Sequence, residues 1–356
     1  DQLKEQGMAS VVLVTGVSRY LGGLLARRLS ADPGVDRVVG VDVIPPAQEI
    51  SGVEFVRADI RNPMIARVIE SAGVDTVVHM NVIATPTFVG GRTPQKAINV
   101  IGTMQLLAAC QKSTTVRRLV VKSSAAVYGS TPRDPAMFTE DMGAKRTPSG
   151  GFGKDSIEVE GYVRGFARRR PDTEILTLRF ANIVGPHIRT SITDYFNLPI
   201  VPVPLGYDAR MQFVHEDDAI DALVRATTGE AAGIVNIAGD GVLTVLQAAA
   251  IVGRPVLPLP LGTAGFVGGL TKQRGLADFS PDQMSFLAFG RGMDTSRMRS
   301  TLGFTPRYTT REAVECFART VGPAVPAAAI VGDAVSGVAG TASSVVLGLL
   351  GAGRGR

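Results

Sequence analysis

Val11-Val12-Leu13-Val14-Thr15-Gly16-Val17-Ser18-Arg19-Tyr20-Leu21-Gly22 is the stretch on which the fold turns. Val11–Val14 is a short apolar run of the kind that forms a strand covered on both faces, and Leu21–Leu29 has helical spacing. Between them lies a glycine loop. Gly16 suits a tight turn, and Gly22 lets helix and strand pack closely. An anion held there would rest on the amides at the helix N-terminus.

Twenty residues after Gly22, Asp42 closes the next predicted strand, Arg37–Val43. A carboxylate at that position hydrogen-bonds an adenosine ribose, which identifies the loop as a dinucleotide site. Asp42 would repel a 2′-phosphate, so the expected cofactor is NAD. Arg19 argues in the other direction, because a guanidinium could pair with that phosphate. Ser18, Arg19, Tyr20 and Leu21 complete the loop between the two glycines.

Further along, predicted strands at Val53–Arg57, Val74–His79, Arg118–Lys122 and Ile175–Phe180 alternate with helical stretches at Gln95–Lys112 and Ser156–Arg170. This alternation predicts βαβ units: an α/β fold with a Rossmann-type doubly wound parallel sheet. After Pro186 the pattern loosens into a smaller C-terminal substrate lobe, in which strands near Met211–Val214 and Ile234–Ile237 can rejoin the main sheet. Pro199-Ile200-Val201-Pro202-Val203-Pro204 cannot be a central strand, because proline donates nothing to a ladder. The expected units are a dinucleotide domain over 8–186, the substrate lobe over 187–320 and an Ala/Gly-rich tail over 321–356.

With 356 residues, 45% hydrophobic and 19% charged, the chain is globular and not disordered. Its two cysteines, Cys110 and Cys316, are too few for a disulfide framework and lack metal-ligand spacing, so a reducing cytoplasm is expected and no metal site. The net charge of +5 is modest. Its densest cluster, Arg168-Arg169-Arg170, sits where cations complement a helix C-terminus, and no nucleic-acid partner is expected. The polar stretch Asp1–Gly7 does not read as a secretory signal.

The residues from Val11 to Thr320 resemble the extended short-chain dehydrogenase/reductase family, the NAD-dependent epimerase/dehydratase group typified by UDP-galactose 4-epimerase, in the pattern of its actinobacterial members. The resemblance rests on the glycine loop, Asp59-Ile60, Val77-Val78-His79, Asn99-Val100-Ile101-Gly102-Thr103, Ser123-Ser124-Ala125-Ala126-Val127-Tyr128-Gly129 and Leu178-Arg179-Phe180-Ala181-Asn182. Gly185-Pro186, Phe213-Val214-His215-Glu216-Asp217-Asp218 and Leu302-Gly303-Phe304-Thr305-Pro306 continue it. It implies that Asp59 and Ile60 flank the adenine, that Asn81, Asn99 and Phe180 belong to the cofactor side, and that Asn182 faces the substrate. It further implies a nucleotide-sugar or other small-molecule substrate and a homodimer.

The family's catalytic set is Ser124, which holds the substrate oxygen, and a Tyr four residues before Lys154, the residue that also holds the nicotinamide ribose. Here that position is Gly150, and none of the six tyrosines has Lys four residues later. The middle glycine of the loop is Arg19, and the segment after the fourth strand reads Met80-Asn81-Val82. Ser124 and Lys154 therefore remain as catalytic candidates without the acid/base. Glu140, Asp141 and Lys145 lie in the preceding loop, Glu140 and Asp141 being the first suspects, while Tyr162 lies about two helical turns past Lys154. The Ala125-Ala126 pair, where family 4,6-dehydratases carry Asp-Glu, disfavours dehydration. His79 reads as a core residue, and His215 with Asp217-Asp218 as a structural turn. Two readings stand: an epimerase-like oxidoreductase with altered acid/base chemistry, or a catalytically impaired dinucleotide-binding sensor or scaffold.

In the tail, Gly332, Ser336, Gly340, Ser344, Gly348 and Ala352 recur every four positions. On a helix they would form a small-residue ridge suited to membrane or partner contact through 334–353, but low mean hydropathy favours a flexible, disordered or loosely docked tail.

Overall fold

The computed structural model describes residues 11–80, 90–148, 150–260 and 281–322. Seven strands form one parallel sheet: β1 (Val11–Thr15), β2 (Arg37–Asp42), β3 (Val53–Arg57), β4 (Thr76–His79), β5 (Arg118–Ser124), β6 (Glu174–Phe180) and, after four short strands described below, β11 (Gly233–Ile237). Their order is β11-β6-β5-β4-β1-β2-β3. The chain runs outward from β1 to β3, then returns to β4 on the other side of β1. Between β1 and β4 the winding reverses, and ligands of such sheets lie in the crevice that opens there, beyond the carboxyl ends of the strands.

Alternation along each strand feeds two separate cores. Val12 and Val14 join one core, while Leu13 between them joins the other. The first core is closed by α1 (Tyr20–Ser30) and by the helix Glu216–Thr228, which contribute Leu25, Leu29, Ile220 and Leu223. The opposite face is covered by α2 (Ile65–Ala72), the helix Thr103–Lys112 and the helix Gly151–Arg169, through Ile69, Leu106, Val163 and Phe166. The near-continuous apolar strands follow from this double cover. Arg170, just past the last of these helices, donates to the carbonyls of Cys110 at 2.9 Å, Ser113 at 2.8 Å and Val116 at 3.1 Å. The basic cluster thus ends one helix and ties down the exit of another.

Two helices start earlier than their periodicity indicates. Thr103–Lys112 is preceded by a short α3 (Arg92–Lys96) and a π-helical stretch, Ala97–Gly102, and is numbered α4. Helix α5 begins at Gly151, five residues before the expected start at Ser156. Its opening glycines have poor helix propensity and conceal that turn.

After β6 the chain forms three small sheets. β7 (Asn182–Val184) pairs in parallel with β10 (Phe213–His215), and β9 (Arg210–Met211) pairs antiparallel with β12 (Leu243–Thr244). β8 (Val201–Pro204) pairs in parallel with β13 (Val256–Leu259). The prolines fit because the amides that bond across this pair belong to Val201, donating to Pro255 O at 2.9 Å, and Leu205, donating to Leu259 O at 2.8 Å. Phe196, Val201, Met211, Phe213, Leu287 and Phe317 belong to a third core. Among the described residues no helix is long and apolar enough to cross a membrane. The tail segment 334–353 lies outside them.

Candidate functional site

The loop after β1 is held by geometry that only glycine meets. Gly16 has φ +75°, and a Cβ at Gly22 would lie 2.1 Å from the Gly16 carbonyl oxygen. Arg19 is the N-cap of α1 but its side chain makes no capping hydrogen bond, and no acidic residue occupies the first turn. The first amides of α1 are therefore not capped by a side chain, and together with the helix dipole they favour an anion. Asp42 lies at the end of β2, where one carboxylate oxygen accepts from Ser18 N at 3.2 Å and the other from Val43 N at 2.7 Å. Each oxygen keeps a lone pair for a hydroxyl.

A cleft of about 750 Å³ opens at the carboxyl ends of β1, β5 and β6. Gly16, Ser18, Arg19, Tyr20, Leu21 and Gly22 line it on one side, Ser124, Phe180 and Asn182 at its base, and Arg189, Asp282 and Arg291 on the other. Asp42, Asp59, Ile60, Asn99 and Lys154 are not among the lining residues, and Asn81 lies outside the described residues. Asp59 is gripped by Arg61 through hydrogen bonds of 2.6–3.0 Å, which hold its carboxyl below the usual range. Ile60 is buried under Gly102, whose Cβ position would be 2.8 Å from it. Asn99 is fully buried and donates to Asp155 at 3.4 Å.

Ser124 ends β5 and caps the short 3₁₀ turn Ala125–Tyr128, its hydroxyl accepting from Ala126 N at 3.2 Å. Capping uses the oxygen and leaves the hydroxyl proton available to a ligand in the cleft. Its neighbour Ser123 points to the opposite face, donating to Glu160 at 2.7 Å. His79 is wholly buried between Thr15 at 3.1 Å and Thr103 at 2.8 Å, and burial pushes its pKa down to about 4. His215 Nδ1 accepts from Asp217 N, while Asp218 accepts from the amides of Arg307 and Tyr308.

Gly150, where the family tyrosine would stand, is the N-cap of α5 with an extended φ of −165°, and a Cβ there meets nothing within 4 Å. Neither carboxylate suspected from sequence reaches the cleft lining. Glu140 is buried and accepts from Asn236 N at 2.9 Å, while Asp141 pairs with Arg297 at 2.5 Å on the surface. Tyr162 is exposed on α5, away from the cleft.

Six charged groups of the cleft escaped the sequence reading, Arg146 and Arg189 and the four that follow. Lys122 lies on β5 two residues before Ser124, and so on the same face of that strand. Burial, with Arg19 adding repulsion, lowers its pKa to about 8. Arg92 grips Asp155 at 2.5 and 2.6 Å and donates to Gly151 O at 3.0 Å. Arg291 donates to Gly129 O at 2.7 Å and stacks on Phe286, and burial lowers its pKa to about 10. Asp282 comes from the helix Pro281–Phe289, and its carboxylate accepts from the Gly150 amide. Burial raises its pKa, against the opposing pull of Arg146 and Arg291. The one readable signal was Lys122, a lysine interrupting the apolar run of a strand covered on both faces.

Among the described residues the lining carries six cations (Arg19, Arg92, Lys122, Arg146, Arg189 and Arg291) against the single carboxylate of Asp282. That balance suits a ligand with several phosphates.

The model of the NAD dependent epimerase/dehydratase family matches residues 12–238. An uncharacterised protein of Mycobacterium tuberculosis strain H37Rv is 46% identical over 313 residues, covering 87% of this chain and 83% of that protein. A UDP-glucose 4-epimerase of Mycolicibacterium smegmatis is 26% identical over 321 residues, covering 85% of this chain and 95% of that one. Among solved structures, the Thermotoga maritima UDP-glucose 4-epimerase with UDP-glucose superposes with a TM-score of 0.66 at 18% identity, covering 87% of this chain and 98% of the other. The Bacillus cereus UDP-glucuronic acid 4-epimerase with UDP-glucuronic acid and NAD gives 0.66 at 20% identity, with the same coverage of 87% and 98%. These structural likenesses show the fold.

Proposed function

Because the chain belongs to the NAD dependent epimerase/dehydratase family, we propose that it is an NAD-dependent oxidoreductase or epimerase of a nucleotide sugar whose proton transfer does not use tyrosine. The observation that carries this reading is the cleft itself, which the glycine loop, Ser124, Asn182, Arg189 and Arg291 line together.

The residues fit the dinucleotide. The amides after Gly16 take its diphosphate, Asp42 its adenosine ribose, with Asp59 and Ile60 toward the adenine and Phe180 toward the nicotinamide. When bound, NAD supplies a hydride acceptor. Ser124 donates its free hydroxyl proton to the substrate oxygen, and Arg189 and Arg291 hold the diphosphate of the nucleotide sugar. Asp282 becomes the first suspect for the acid/base in place of Glu140 and Asp141. Among the described residues it is the one carboxylate of the lining, its pKa is raised by burial, and it sits on the amide of residue 150.

The second reading, a non-catalytic dinucleotide-binding protein, is favoured by Gly150 and by the position of Lys154 outside the cleft lining. Incubation with saturating NAD and a panel of UDP- and dTDP-sugars separates the two. The catalytic reading expects a change in nicotinamide absorbance or sugar configuration that Asp282→Asn lowers at least tenfold. NAD binding with no turnover of any sugar supports the second.

A further inference from the structure

β7 and β10 run side by side to Val184 and His215, so the residues that follow them, Gly185 and Glu216, meet. A Cβ at Gly185 would lie 2.5 Å from the Glu216 side chain, so glycine is what lets that carboxylate be buried there. Glu216 in turn fixes the ring two residues past Gly185, whose Nδ1 stands 2.7 Å from one carboxylate oxygen. Its other partners are the amides of His187 and Ile188, which can only donate, and the Tyr20 hydroxyl, which donates as well. A carboxylate in that company is an acceptor, so the ring proton lies on Nδ1 and the neutral imidazole keeps its lone pair on Nε2. A flipped ring would set a carbon against the oxygen instead.

Nε2 has no hydrogen-bond partner among the described residues, and the His187 side chain is 66% exposed. The ring lies 5.8 Å from that of Tyr20, the first residue of α1, and lines the cleft beside Ile188 and Arg189. It also borders an adjoining cavity of about 300 Å³, so it stands at the junction of the two. A lone pair there selects for a hydroxyl, because ionised phosphate oxygens have no proton to donate and ribose or hexose hydroxyls do. Lys154, the residue that holds the nicotinamide ribose in the family pattern, does not line the cleft.

We propose that His187, locked by Glu216 in its Nδ1–H form, is a hydroxyl-binding residue of the cleft, accepting from a ribose or hexose hydroxyl of the bound nucleotide. The ligand rests on the nucleotide reading of the cleft, whereas the locked tautomer does not.

Histidine-selective ¹⁵N NMR reads the ring directly, because of the three histidines His79 and His215 are buried and His187 is exposed. At pH 8 the free protein should show His187 as the Nδ1–H tautomer, and the bound ligand should shift its Nε2 resonance. His187→Asn keeps a donor near the place of Nδ1 and removes the lone pair, so it should melt like the wild type but bind about fivefold more weakly. Calorimetry with NAD, ADP-ribose and ADP, and with UDP-glucose and UDP, finds the hydroxyl. Loss for NAD and ADP-ribose but not ADP assigns the distal ribose of the dinucleotide, and loss for UDP-glucose but not UDP assigns the hexose. Equal loss for all five ligands would mark a general disturbance of the cleft and overturn the proposal, as would an Nε2–H tautomer or unchanged affinities. Failure of the wild type to bind any of the five would sink the nucleotide reading, and the hydroxyl site with it, even with the tautomer as stated.

Discussion

The phenol of Tyr20 donates to the carboxylate of Glu216 across 3.0 Å, joining the first turn of α1 to the helix Glu216–Thr228. The same buried carboxylate accepts from His187 N at 3.1 Å, Ile188 N at 2.8 Å and the His187 ring at 2.7 Å. The glycine loop and the segment leading into the substrate side of the cleft are therefore fastened to one anion. Tyr20→Phe should cost about 1–2 kcal/mol, a drop of about 2–5 °C in Tm, because Glu216 loses one of its four donors. It should also weaken NAD binding. Unchanged melting and binding would show that the three remaining donors suffice.

Gly22→Ala is the severe loop variant. Its methyl group would fall 2.1 Å from a backbone oxygen, a contact relieved only by moving α1 off the loop. We expect a loss of about 1–3 kcal/mol or more and no measurable NAD binding by calorimetry.

Asp42→Ala should narrow the preference for NAD over NADP, since it removes the charge that opposes a 2′-phosphate beside Ser18 N. Equal affinity of the wild type for both cofactors would refute the assignment and make Arg19 a phosphate ligand.

Neighbouring glycines at the start of α5 should behave differently. Gly150→Tyr should fold with a Tm near that of the wild type, because its backbone is extended and its Cβ position is open. Gly151→Ala should cost about 1 kcal/mol, since φ is +63° and its methyl would lie 3.3 Å from the Asp282 carboxylate. Parallel thermal melts of the two variants decide the matter. Equal losses would mean that the turn is less constrained than its dihedrals indicate.

His79 gives stability a pH dependence of defined sign. Its pKa is about 4 in the fold and near 6.5 when unfolded, so between these values the unfolded chain binds the extra proton. Its contribution is complete above about pH 6.5 and fades as the pH falls toward 4, by about 3 kcal/mol in all. Urea midpoints for wild type and His79→Gln at pH 7.5, 6 and 5 should converge as the pH drops. Parallel curves would remove His79 from the acid response.

The sheet and the glycine loop were legible because each depends on near neighbours in sequence: alternation within a strand, and a turn that excludes a Cβ at Gly22. Proximity along the chain misled in the search for an acid/base. Glu140 and Asp141 stand ten and nine residues from Gly150, yet one is bound by β11 and the other by Arg297. Asp282 and Arg291 reach the cleft from far along the chain, through helix packing that no local pattern encodes. Lys122 could have been noticed, since a central strand seldom carries a lysine without a task. The small sheets were hidden for another reason. β8 finds its partner at Val256, more than fifty residues later, and its prolines read as a break.

Those prolines govern more than pairing. Along β8 the amides of Val201 and Leu205 turn toward β13, while Pro202 and Pro204 hold the alternate positions that face outward. The outward edge thus offers carbonyls without donors, and the Pro202 carbonyl is already taken by the Tyr195 hydroxyl at 2.8 Å. A third strand would find no donors there to complete its ladder, whether it came from a peptide, a neighbouring copy or a misfolded chain, and so this edge of β8 is guarded against strand addition.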